Sequence, residues 1–206
     1  MIKDIEITDV QQKIIDAARE LFIRKGLKET TVRDIANASG KNIAMINYYF
    51  RSKDNLFETI FEGSFEKLIT RVFAHIDSDL PLFELIDKWV CTYYDSLHDD
   101  PKLPLFVIYE FQKNPERLIR KIRLKNPYQT FGKLAIRINK EVEKGTIKEI
   151  PVSNFILSVI SLSVFPIILS TVAPTLLGLI DDQYKELLDG HKKFVVDFII
   201  NAIKKE

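Results

Sequence analysis

Three histidines, His75, His98 and His191, stand too far apart for the two-histidine spacings of a helix-borne metal site. Cys91 is the single cysteine, which excludes an internal disulfide and a cysteine-rich zinc site. It reads as a small core residue in a reducing, cytosolic compartment rather than as a nucleophile. No glycine-rich phosphate loop and no Gly-x-Ser-x-Gly elbow is present. No nucleophile–base pair is visible either, so a helical enzyme is disfavoured and no metal or cofactor is expected. The residues whose types and spacing could do chemistry lie in the run TVRDIANASGKNIAMINYYF, residues 31–50. Asn42 and Asn47 could reach base edges or phosphates, and Ile43, Ala44 and Met45 could meet thymine methyls. Arg51 and Lys53 follow at the start of a long helical pattern, where free N–H groups and the helix dipole favour a phosphate.

The elements that must position these residues are helical. The chain has 206 residues, 46% of them apolar and 29% charged, which excludes a disordered chain. Thirty Lys and Arg stand against 29 Asp and Glu, so overall charge selects no partner. Seven Gly and eight Pro are too few for the many turns of a β-sandwich. No basic stretch followed by an apolar core opens the chain, so no secretory leader is expected.

Thr8 and Gln11 form a capping-box pattern ahead of Ile14, Ala18, Leu21 and Phe22, and this helix should stop near Gly26. Thr30 or Thr31 can cap a second helix, Ser39-Gly40 breaks it, and Asn42 can cap a third. Ser52 or a neighbour starts the long helix with Leu56, Ile60, Phe61, Phe65, Leu68 and Val72 in register. Proline-containing or turn-forming breaks divide the remainder into further helices, and about nine helices are expected in all.

The two short helices joined at Ser39-Gly40 have the spacing of a helix-turn-helix, whose second helix can enter the major groove. Ala36 must be small where that helix crosses, and Gly40 supplies the positive φ of the turn. Val32, Ile35, Ile46 and Phe50 should face the core. Lys41, Asn42, Ile43, Ala44, Met45, Asn47, Tyr48 and Tyr49 are left facing outward. By spacing alone, a plain three-helix core whose Tyr and Asn merely cover surface accounts for these residues equally well.

From the first helix through Gly26, TTVRDIA at 30–36, Gly40 and YYFRSKDNLF at 48–57, the chain resembles the TetR family of transcriptional regulators. The aromatic-aromatic-Phe, Ser-Lys-acid, Leu-Phe succession is specific to that family. The motifs span about the first quarter of the chain. The resemblance implies an all-α protein in which 1–52 form the helix-turn-helix DNA-binding domain and 53–206 a larger ligand-binding and dimerisation domain. It further implies a homodimer on a double-stranded, inverted-repeat operator, repression, and release by a small molecule. Carried over by position, Thr31 and Arg33 open the supporting helix near the DNA backbone. Asn42 to Tyr48 form the reading face, and Tyr49 and Lys53 hold phosphates. The sequence departs from the family pattern at Lys41, usually small and apolar, and at Asn47, commonly Tyr.

In the C-terminal part, Tyr184, Leu187, Leu188, Val195, Phe198 and Ala202 form one apolar stripe, and Val196, Ile199, Ile200 and Ile203 widen it. A helix apolar on more than one face suits packing on both its own domain and a twofold mate. Phe155, Leu162, Val195, Phe198 and Ala202 are the expected interface residues. Residues 155–180 carry no charge and are long enough to cross a bilayer, so a membrane-anchored helical protein is the alternative reading. Pro166, Pro174, Gly178 and six Ser or Thr residues weigh against it. Trp89, Tyr93, Phe106, Tyr109 and Phe131 could line a cavity for an unidentified, mostly apolar ligand. The basic run Arg117, Arg120, Lys121, Arg123 and Lys125 reads as a solvated helix face.

Overall fold

The computed structural model describes residues 8–101, 103–105, 107–108 and 115–205. Among these residues it is all-α: ten α-helices with defined bounds, one 3-10 turn, and further helical residues at 103–105 and 107–108. The chain divides into two compact units, 1–64 and 65–206, with the boundary inside the fourth helix.

The first unit contains α1 (Asp9–Glu29), α2 (Val32–Ser39), α3 (Ile43–Phe50) and the first three turns of α4 (Lys53–Asp77). Thr8 caps α1: its hydroxyl accepts from the Gln11 N–H at 3.3 Å while its own N–H donates to Gln11 Oε1 at 2.9 Å. Gly26 leaves helical geometry at φ 82°, as expected of the helix end, yet one further turn runs on to Glu29. The apolar faces meet in one core built from Ile14, Ala18, Leu21 and Phe22 with Ile35, Ala36, Ile46 and Phe50. Leu56, Phe57, Ile60 and Phe61 of α4 are buried too, and Phe57 meets Phe22 edge-on at 5.5 Å. The structural boundary therefore falls twelve residues beyond Ser52: the first turns of α4 complete the small core.

The second unit is organised around α5 (Leu82–Asp99), whose Leu85, Ile86, Trp89 and Val90 are wholly buried. Two short-to-medium helices, α6 (Pro115–Leu124) and α7 (Pro127–Glu143), precede α8 (Val152–Ile168), and α7 and α8 both touch α5. Pro166 lacks the N–H that would continue the ladder, and α8 gives way to a 3-10 turn at Leu169–Thr171. A short α9 (Ala173–Leu177) ends at left-handed Gly178, and α10 (Asp181–Ile203) packs along α5 and α8. The Tyr184 hydroxyl donates to the Pro166 carbonyl at 2.7 Å, tying α10 to the end of α8. One helix with its 3-10 extension, Val152–Thr171, has mean hydropathy 2.2 over a membrane-length window, by composition alone.

Candidate nucleic-acid interface

The geometry of the candidate interface begins with polar side chains that terminate helices. Thr31, not Thr30, caps α2: its hydroxyl accepts from the Asp34 N–H at 3.1 Å, and its N–H donates to Asp34 Oδ2 at 3.0 Å. These bonds, helped by the Lys25 ammonium 3.5 Å away, hold the Asp34 carboxyl below its ordinary value. Thr30 is fully buried, and its hydroxyl donates to the Gly26 carbonyl at 2.8 Å. At the other end of α2, Gly40 takes φ 65°, a left-handed conformation that costs a Cβ-bearing residue energy. The Lys41 N–H then donates back to the Ala36 carbonyl at 3.0 Å, which completes the turn.

Asn42 starts α3, with Oδ1 accepting from the Met45 N–H at 2.8 Å. That leaves the Asn42 amide NH2 for an outside partner. Ile46 and Phe50 are buried, and they fix which way the rest of the helix points. Asn42, Ile43, Ala44, Asn47 and Tyr48 are exposed, Tyr48 to 80%. Lys41, Met45 and Tyr49 are half-buried, with Tyr49 edge-on to Tyr48 at 5.1 Å. Thr31 and Arg33 are exposed at the start of α2. No carboxylate occurs between Asp34 and Asp54, so the outward face of α3 holds nothing that would repel a phosphate backbone.

Two residues show features that the sequence did not announce. Lys53, for which the resemblance implies a phosphate contact, here donates from Nζ to the carbonyls of Thr30 at 2.6 Å and Leu27 at 2.7 Å, with Lys28 O at 3.4 Å. The reason is electrostatic, since the carbonyls ending α1 attract a cation more closely than open solvent does. Arg51 adopts φ 64°, which no local sequence signal announced. It closes α3, and Ser52 then starts α4 by accepting from the Asn55 N–H at 3.1 Å.

In the second unit, Trp89 and Tyr93 lie on α5 and are buried, and Trp89 meets Phe155 edge-on at 6.2 Å. Burial pushes the Tyr93 and Tyr94 phenols up to about 12. Phe131 instead pairs edge-on with Phe73 at 5.5 Å. Phe106 and Tyr109 lie outside the described residues. Of the expected interface residues, Phe155 and Val195 are each only 1% exposed. Both lie in the chain's own core, on the faces that α8 and α10 turn toward α5. Leu162 is half-buried, whereas Ala202 is exposed and Phe198 is 53% exposed. Phe198 ends a stacked row with Phe194 at 5.9 Å and, beyond it, His191 at 5.5 Å from Phe194.

An all-α chain whose N-terminal unit presents an exposed second helix after a glycine turn is a helix-turn-helix protein. The sequence model for bacterial regulatory proteins of the tetR family matches residues 14–60, from the α1 core to the first turns of α4. The probable HTH-type transcriptional regulator YttP of Bacillus subtilis (strain 168) is 30% identical over 163 residues, 76% of each chain. This chain belongs to the TetR family of transcriptional regulators. The HTH-type transcriptional repressor KstR2 of Rhodococcus jostii (strain RHA1) is 31% identical over 85 residues, and this chain spans 42% of its length. The solved structure of the ketosteroid transcriptional regulator KstR2 of Mycobacterium tuberculosis shares the fold, with TM-score 0.67, 16% identity and 98% of each chain covered.

Proposed function

We propose that the chain is a homodimeric, sequence-specific DNA-binding repressor acting in the cytoplasm. In this reading, residues 1–52 bind an inverted-repeat operator, and 53–206 form the dimer and bind a small, mostly apolar ligand that releases the DNA. The observation that carries the reading is the outward face of α3. It is exposed at Asn42, Ile43, Ala44, Asn47 and Tyr48, and its angle is held by buried Ile46 and Phe50. A short helix with amide and apolar side chains outward, and no carboxylate among them, is suited to base edges in the major groove. Thr31, Arg33, Lys41, Met45 and Tyr49 flank it. The exposed Phe194–Phe198 row on α10 supports a twofold interface, for which two copies would cover the apolar rings.

The ligand reading rests on buried aromatics around α5. The Tyr94 hydroxyl is buried with no hydrogen-bond partner among the described residues, a cost that a ligand's polar atom could relieve. Family membership favours this whole reading over a membrane anchor at 155–180. Selection of bound fragments from genomic DNA tests it. Recovered sites should be inverted repeats with half-sites one or more helical turns apart, about 34–36 Å or a multiple. A set of fragments without twofold symmetry would overturn the dimeric reading.

A further inference from the structure

The outward row of α10 is apolar except at one position. From its cap to its last turn the row runs Ile180, Leu187, His191, Phe194, Phe198 and Ala202, at spacings that keep these residues on one side of the helix. His191 is the one titratable side chain among them. Its ring lies nearly parallel to that of Phe194, at 16° with centroids 5.5 Å apart, and Phe194 stacks in turn on Phe198 at 5.9 Å. The same imidazole meets Tyr94 of α5 edge-on at 6.5 Å. His191 thus belongs to the aromatic surface through which the two copies are proposed to meet.

No neighbour offers it a counter-charge. α10 packs on α5, α8 and α9, and neither α8 nor α9 carries a charged residue. From α5 come the Tyr94 phenol and the Cys91 thiol, both held neutral: burial pushes the phenol up to about 12, and burial with the nearby Asp87 carboxylate pushes the thiol up. Asp87 itself accepts from the Cys91 thiol at 3.7 Å, and Asp95 accepts from the Lys192 ammonium at 2.7 Å. His98, one turn beyond Tyr94, is exposed and brings no acid. On α10, Asp189 and Lys193 are exposed two residues to either side, where the helix turns them away from the row. Burial therefore acts unopposed and holds the half-buried imidazole below its ordinary value. A second copy laid over the row presents the same stripe and another uncharged α8, and it removes the remaining water from the ring. An imidazolium there would be a covered charge without a partner.

We infer that His191 is a pH-sensitive contact of the dimer: the two copies join through this row with both imidazoles neutral, and protonation drives them apart. This rests on the dimeric reading above. The sign follows from exposure. The ring of a separate protomer, still half in water, takes a proton more readily than the covered ring of the dimer. Dissociation takes up as much as one proton per protomer, so acid favours monomers.

The test is sedimentation equilibrium of the full-length protein without DNA, from pH 7.5 to 5.5 at constant ionic strength, over the range in which far-UV circular dichroism is unchanged. The dimer dissociation constant of the wild type should rise by about tenfold or more toward the acid end. His191→Gln, neutral and polar, and His191→Phe, which keeps an aromatic ring, should both stay nearly flat with pH, whatever their affinity at pH 7.5. A wild-type constant that does not change with pH would overturn the inference. An equal acid-driven rise in both variants would overturn it too, because the proton would then bind at His98 or at carboxylates outside the row. If one variant loses its helical circular dichroism, the other decides alone by the same slope. Wild-type protein that is monomeric at every pH and concentration would instead defeat the dimeric reading itself.

Discussion

Each of the four helices that begin in the N-terminal unit starts at a polar side-chain cap: Thr8, Thr31, Asn42 and Ser52. In the C-terminal unit, α5, α7, α8 and α9 begin without a side-chain cap bond, and α10 has only the reverse half of one, the Ile180 N–H donating to Gln183 Oε1 at 3.0 Å. The difference shows two ways of specifying a helix. In the small unit, hydrogen bonds between residues three apart decide where each helix starts, and a core of modest size only has to hold the angles. In the large unit, helix positions follow from which apolar faces find partners, with α5 buried among α7, α8 and α10. A short, locally determined unit suits a surface that must present side chains at one fixed angle.

If that contrast holds, the largest response should come from volume lost in the large unit. Trp89 is fully buried against Phe155, so Trp89→Ala should destabilise the protein by about 3–5 kcal/mol. Thermal unfolding should show that loss, and a shift of a degree or less would mean that α5 is not the centre of the unit. Next in size, Phe198→Glu places a charge on an exposed ring row and should cost the protomer little. Sedimentation should find monomers of native helical content, whereas an intact dimer would move the interface elsewhere.

Cap removal sharpens the comparison from the other side. Thr31→Ala deletes one side-chain acceptor at an exposed site, and should cost about 1 kcal/mol by denaturant unfolding. A loss of several kcal/mol would show that the small unit depends on its caps far more than on its core. The smallest effect concerns pH. Asp34 has its carboxyl held below the ordinary value by Thr31, so the folded state favours the ionised form. That contribution is present above the unfolded value and is lost as pH falls through the lower folded one. Asp34→Asn should therefore narrow the difference in stability between neutral and strongly acidic solution, and acid titration of both proteins measures it.

The same contrast explains what was legible in the sequence. The Thr8–Gln11 box, the Gly40 turn, the Asn42 cap and the Ser52 start could be read because each depends on neighbours a few residues away. The choice between Thr30 and Thr31 stayed open, since either hydroxyl could cap and only burial of Thr30 against α1 decides. The hydrogen bonds of Lys53 were not legible: they depend on carbonyls 23 to 26 residues earlier in the chain. Arg51 was missed because nothing in its type favours a positive φ. In the C-terminal unit the all-helical pattern was visible, but not which side of α8 and α10 faces inward. Phe155 and Phe198 are equally apolar, and only the position of α5 separates the buried ring from the exposed one.

The central claim is that the exposed side of α3 reads base sequence while its buried side holds the angle. The most direct test is to measure the base preference of Asn47→Ala at every operator position, in both half-sites, beside affinity for random DNA. Asn47 is exposed midway along α3, one residue from buried Ile46. The account predicts relaxed preference, by ~1–3 kcal/mol, at the same one or two base pairs of each half-site, with random-DNA affinity unchanged. Equal weakening at every position and on random DNA would contradict it, because Asn47 would then contribute to binding without reading sequence.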